Sequence, residues 1–140
     1  MKKFLAVILV FVISLSCAGC GNKLQKQADE VAAFLEGKWS ATWSSAFGKM
    51  EEVYIFKSVD GNAGQFEHIY KCDGEILTHY TGTFDVSIQE DGVIEYSHMA
   101  KIDSKGNISK LEKTLSYTIS YTYEDGKVKL MNDSRSYTKK

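Results

Sequence analysis

Hydrophobic residues in this chain recur first every three to four positions and then every second position, and the change of period falls at Gly37. Upstream of it Leu24, Ala28, Val31, Ala32 and Leu35 share one face at helical spacing, which predicts a short amphipathic helix over Leu24 to Glu36 that stops at Gly37. From Lys38 onward the period is 2. Ile76, Thr78, Tyr80, Gly82, Phe84, Val86 and Ile88 fall on one side of a strand, with Leu77, His79, Thr81, Thr83, Asp85 and Ser87 on the other. The same split recurs in Phe66, His68, Tyr70 and Cys72, in Ile94, Tyr96, His98, Ala100 and Ile102, and in Leu115, Tyr117, Ile119, Tyr121 and Tyr123. One buried face and one wet face describe an antiparallel sheet.

Turn chemistry punctuates these runs at Asp60-Gly61-Asn62, Asp73-Gly74, Asp91-Gly92, Lys105-Gly106-Asn107 and Asp125-Gly126, which are hairpin signals. Seven or eight consecutive strands would leave edges exposed, and closure into an up-and-down barrel removes them. The expected fold is therefore all-β: an antiparallel up-and-down meander closing into a small barrel, preceded by a short N-terminal helix. Gly82, midway along an otherwise unbroken alternation, is the expected kink or bulge. In the run Met50 to Lys57, Met50, Tyr54 and Phe56 lie on one face and Val53 and Ile55 on the other, so this strand is expected to be covered on both sides, for instance by the helix. The helix face is small and lacks a lysine-rich border, which favours capping a barrel end over lying on a membrane surface.

The N-terminal segment has a different pattern. Lys2 and Lys3 precede an apolar run from Phe4 to Ser16, and Cys17-Ala18-Gly19 places small residues before Cys20, the order of a secretory signal. The run is shorter than the roughly 20 residues a spanning helix needs, so cleavage is expected. Leu15 to Asn22 resembles the lipobox of bacterial lipoproteins, with Cys17 where leucine is usual. That resemblance implies a signal peptide over residues 1–19, a diacylated Cys20 as mature N-terminus, an anchor and helix over 20–36, and a β-domain over 37–140. Two acyl chains hold a protein on a bilayer stably, because each buried methylene contributes about 0.8 kcal/mol. The expected location is the extracytoplasmic side of the cell envelope: the outer membrane of a Gram-negative cell, whose sorting class Gly21 resembles, or the outer face of a Gram-positive cytoplasmic membrane.

Cleavage removes Lys2 and Lys3 and takes the formal net charge from −1 to about −3. The remaining length buries enough surface for one domain. Cys72 would be the single free thiol, so no intramolecular disulfide forms although the compartment permits one. Basic residues are scattered among acids and Arg135 is the only arginine, which excludes a nucleic-acid footprint.

At Gly37-Lys38-Trp39 a helix hands over to the first strand through a Gly-x-Trp step, and a meander fills the rest of the chain. This resembles the lipocalin and lipocalin-like group. The resemblance implies a lipocalin-like barrel whose base Trp39 closes, with a basic residue from the last strand packed across its ring. Arg135 lies in that region and is expected over the Trp39 indole.

The inward rows are rich in rings with polar tips: Tyr70, Tyr80, Tyr96, Tyr117, Tyr121, Tyr123, His68 and His98. In a filled barrel these tips bond to backbone or water; in a hollow one Tyr70, Tyr80, Tyr96, Tyr117, Tyr121, His68 and His98 would line an aromatic pocket. A strand separates those of His68 and His98, which at roughly 4.8 Å per strand step puts them about 10 Å apart and argues against a shared metal. Cys72 has no histidine placed to activate it, and no nucleophile elbow, phosphate loop or acid–base pair is present. The expected function is binding of a small apolar or aromatic molecule without catalysis or cofactor. The alternative is a protein-interaction module, an envelope assembly factor or an inhibitor of an exported enzyme, working through loops, a sheet edge or a patch around Trp43, Phe47 and Met50.

Overall fold

The computed structural model describes residues 23–140; the expected signal segment and the acylated Cys20 lie outside the described residues. Residues 23–35 form helix α1. Eight strands follow: β1 (Gly37–Ser45), β2 (Gly48–Asp60), β3 (Ala63–Cys72), β4 (Glu75–Val86), β5 (Val93–Ile102), β6 (Ile108–Glu124), β7 (Lys127–Asn132) and β8 (Arg135–Lys139). Each pairs antiparallel with the next and β8 returns to β1, so the sheet is a closed meander barrel. A mostly β chain of this topology with one helix is consistent with a lipocalin-like barrel.

All five turn signals fall between strands. Asp73 and Gly74, and again Asp125 and Gly126, both have positive φ, the backbone that a two-residue primed turn demands and that Asp-Gly accepts at little cost. The β7–β8 hairpin turns at Asp133 (φ 50°) and Ser134 without a glycine. Gly82 sits where the β4–β5 register slips between Thr81 and Phe84. A Cβ there would lie 1.8 Å from the Ser97 carbonyl oxygen, so the two backbones approach more closely than any side chain allows.

Helix α1 closes the lower end of the barrel. Ala28, Val31, Ala32 and Leu35 are buried against the core, and full burial of Val31 and Leu35 contributes about 2 kcal/mol each. Its polar residues clip onto the lower turns: Gln27 donates to Asp91, Glu30 accepts from Tyr123, and Gln25 donates to Asn62. Trp39 is buried at the helix–barrel junction and donates its indole N–H to the Leu35 carbonyl at 2.8 Å. Above it Tyr54, Phe56, Phe66, Phe84, Ile94, Ile119 and Leu130 fill the lower barrel. On β2, Glu52, Val53 and Tyr54 are all buried, so this strand is covered on both faces.

The upper half is less complete. β6 spans 17 residues, but β7 and β8 span only 6 and 5, and the β6–β7 ladder ends at Met131 opposite Ser120. Leu115 and Tyr117, inward by alternation, therefore stand exposed beside a missing neighbour. The β1–β8 seam is short: Trp39 pairs with Lys139 and Ser40 with Thr138, and the Lys140 N–H donates to the Lys38 carbonyl at 2.9 Å.

That seam corrects the expected contact of Arg135 with Trp39. Because the strands are antiparallel and Lys139 opposes Trp39, Arg135 lies four residues up β8, roughly 13 Å away along the strand. Trp43 lies four residues up β1, and the Arg135 guanidinium stands 3.8 Å from its ring centroid. Lys139 takes the basic place at the base, 5.9 Å from the Trp39 ring and 5.0 Å from that of Phe34.

Candidate functional site

The most elaborate polar arrangement in the barrel is centred on Glu52, which alternation places inward on β2 between Met50 and Tyr54. Its carboxylate is fully buried. One oxygen, Oε1, accepts from the Tyr54 hydroxyl at 2.9 Å and from His68 Nε2 at 2.8 Å; the other, Oε2, accepts from the Tyr137 hydroxyl at 2.5 Å and faces Arg135 at 3.4 Å. Tyr54 in turn accepts from the Asn132 side chain at 3.0 Å. Donors thus converge from β2, β3 and the β7–β8 hairpin on one buried charge.

Burial alone would raise the Glu52 pKa, but hydrogen bonds from His68 and Tyr137 outweigh it and hold the carboxyl at about 2, below its ordinary 4.5. The tyrosines respond oppositely. Burial first, and the nearby carboxylate and phenols second, push Tyr54 and Tyr137 far above their ordinary range and Tyr96 up to about 12. Every phenol in the cluster is therefore a proton donor at neutral pH.

His68 Nδ1 lies 3.0 Å from His98 Nε2, making a chain from carboxylate to imidazole to imidazole. This overturns the expected separation of about 10 Å between the two histidines. Strand spacing sets the distance between backbones, whereas inward side chains of a small barrel converge toward its axis. Burial, then the neighbouring His68, lowers the His98 pKa to about 4.

Of the seven residues expected to line a pocket, six form one network of touching rings. His68 packs on Tyr70 at 5.0 Å between centroids and His98 on Tyr96 at 5.6 Å; Tyr80 stacks on His98 at 4.3 Å with planes 9° apart, and Tyr117 meets His98 at 4.9 Å and Tyr96 at 5.4 Å. Tyr117 is 42 % exposed and forms the open side of the network. Tyr121 does not join it: four residues farther down β6, it is buried in the core near the helix. The lower barrel is filled with side chains. A concavity of about 840 Å³ lies instead across β4, β5 and β6, bordered by outward Thr83, Asp85, Ser97 and Thr118, with Tyr96 and Tyr117 also among the residues that line it.

His68 commits both ring nitrogens to neighbours, so it has none left for a metal, and the described residues contain no group of three or more His, Cys, Asp or Glu side chains positioned for one. The thiol of Cys72 donates to the Phe47 carbonyl at 3.3 Å. No family model, curated protein or solved structure matches this chain.

Proposed function

We propose that this chain is an exported lipoprotein, acylated at Cys20, whose lipocalin-like barrel binds a small apolar or aromatic molecule without transforming it. The observation that carries the reading is the network of Tyr70, Tyr80, Tyr96, Tyr117, His68 and His98, packed ring on ring and partly open at Tyr117. Apolar surfaces with a few fixed polar groups are what small-molecule sites are made of. Tyr121 belongs to the core instead. The absence of catalysis is supported by the acid–base properties of the cluster: a carboxyl at about 2 and an imidazole at about 4 are both weak bases at neutral pH, where a general base works best with a pKa near 7.

Native mass spectrometry of the full chain, purified gently from the cells that make it, tests the binding reading. A reproducible small-molecule adduct lost on denaturation is expected; a bare mass in repeated preparations, together with no response to added aromatic compounds, counts against it. Anchoring is tested separately by the N-terminal mass and by Cys20→Ala, which should move the protein from the membrane to the soluble fraction.

A protein-interaction role is the second reading. Phe47, 88 % exposed in the β1–β2 turn, stands with exposed Ile76, Leu77 and Ile108 on hairpin ends opposite the helix. Because α1 leads back toward Cys20, these tips would point away from the membrane.

A further inference from the structure

The Tyr121 N–H donates to the Gly92 carbonyl at 2.8 Å, and the β5–β6 register runs on from there through Ile119 with Ile94, Tyr117 with Tyr96 and Leu115 with His98. Alternate residues of an antiparallel strand turn both backbone groups to the same edge. These residues therefore bond to β5, and Ser120, Thr118 and Ser116 turn theirs to the opposite edge. Ser120 meets Met131 there, where the β6–β7 ladder ends. Thr118 and Ser116 have no ladder partner on that edge among the described residues, so two N–H and two C=O groups face open space, and every residue from Thr114 to Thr118 is exposed.

Folded proteins guard such edges with charges, prolines or bulges, because an unguarded edge is a template for another strand. The upper part of β6 is guarded in this way. Its register with β5 slips between Lys110 and Leu115, and the segment carries Lys110, Glu112 and Lys113. From Thr114 to Ser120 there is neither charge nor proline. The alternation there is that of a strand with neighbours on both sides, Leu115, Tyr117 and Ile119 toward the lumen and Ser116 and Thr118 outward. Leu115 and Tyr117 are nonetheless 43 % and 42 % exposed, and one more strand against β6 would cover both.

We propose that this edge of β6 binds an extended segment of a partner protein as an added antiparallel strand, spanning about the five residues opposite Thr114 to Thr118. A polypeptide backbone presents donors and acceptors at the repeat that Ser116 and Thr118 require. Its side chains alternate, apolar toward Leu115 and Tyr117 and polar outward, and it carries no charge across the uncharged run. A second copy of this chain fits poorly: two β6 edges related by a twofold axis run antiparallel and send their α1 helices, and the Cys20 anchors beyond them, to opposite ends. The proposal rests on the protein-interaction reading and gives it a surface and a partner class; the hairpin ends around Phe47 are a separate surface.

The probe is a capped peptide of alternating threonine and valine with a lysine at each end, titrated against the full chain at pH 7 and followed by amide NMR. Resonances of Ser116 and Thr118 are expected to shift while those of the Phe47 turn stay; shifts confined to the hairpin ends, or none at millimolar peptide, would overturn the proposal. Directly opposed residues share a face, so the threonines supply the bonds to Ser116 and Thr118. The same peptide methylated on its threonine nitrogens keeps its side chains and should bind about tenfold more weakly or worse; equal affinity would overturn the edge pairing. Ser116→Pro removes a donor from the open edge and none from the β5 ladder, a place where proline is tolerated, and should weaken binding similarly. Hydrogen exchange of the native chain needs no variant: the amides of Ser116 and Thr118 should exchange well ahead of those of Leu115 and Tyr117, and equal protection would show the edge is closed. The small-molecule reading is decided separately by its mass-spectrometric adduct.

Discussion

Replacing Glu52 with glutamine keeps the shape of the side chain and removes its charge, which makes Glu52→Gln a direct probe of the buried network. A carboxyl at about 2 in the folded chain and 4.5 when unfolded corresponds to about 3 kcal/mol of stability, at 1.36 kcal/mol per pH unit. The folded pKa is the lower one, so this contribution is complete above pH 4.5. It declines as pH falls toward 2, because the unfolded chain takes up the proton first. At pH 7 the variant should lose roughly 3 to 5 kcal/mol, since its amide cannot accept from all of Tyr54, His68 and Tyr137 and leaves Arg135 without a counter-charge. Urea unfolding followed by the emission of Trp39 and Trp43, repeated from pH 7 down to 2.5, measures both quantities. The gap between native and variant should be flat above pH 5 and shrink by most of 3 kcal/mol below it. Other carboxyls of lowered pKa, such as Glu67, act equally in both proteins and cancel in the difference. A gap that stays constant from pH 7 to 2.5 would refute the argument that hydrogen bonds hold Glu52 ionised in the folded state.

His98→Phe should flatten a second window: the folded pKa near 4 against 6.5 unfolded makes the native protein lose about 3 kcal/mol as pH falls from 6.5 to 4, and the variant should lose less across that range in the same unfolding series. Gly82→Ala should destabilise by about 3 kcal/mol or more, seen as a depressed thermal midpoint, because its Cβ would meet the Ser97 backbone at 1.8 Å and no flexible atom is there to move. Arg135→Gln should cost about 1 to 3 kcal/mol in urea and shift the emission of Trp43 rather than Trp39, since the guanidinium lies on the Trp43 ring and beside Glu52.

The meander was legible because each of its hairpins but two carries an Asp-Gly or Gly-Asn step, and because alternation survives wherever one face is buried. The β7–β8 turn at Asp133 and Ser134 lacks a glycine, and with it went the shortness of that hairpin and the exposure of Tyr117. The Arg135 error has a different origin. Pairing of the first strand with the last is set by closure of the whole barrel, and neither strand's own pattern records that Trp39 meets Lys139. Glu52 was visible in principle, since it stands two residues from Tyr54 in an inward row. What alternation does not carry is the identity of its partners, because Tyr137 and Arg135 lie more than 80 residues away. The meeting of His68 and His98 was hidden for a related reason, as it depends on side-chain reach across the lumen.

Tyr137 and Arg135, two of the groups around Glu52, are carried by β8, and β8 is laddered to β1 through only two residue pairs, with one further backbone bond from the Lys140 N–H to the Lys38 carbonyl. Sub-global opening of a folded chain begins where pairing is thinnest. When β8 peels from β1, the same motion withdraws a hydroxyl and a guanidinium from the buried carboxylate, and Glu52 then competes for a proton as an ordinary acid does. Amide hydrogens of β8 should accordingly exchange ahead of those of β2 to β5, and their protection relative to the unfolded-chain rate should fall as pH drops below about 4.5: the mechanical seam of this barrel and the titration of its interior are one equilibrium seen from two sides.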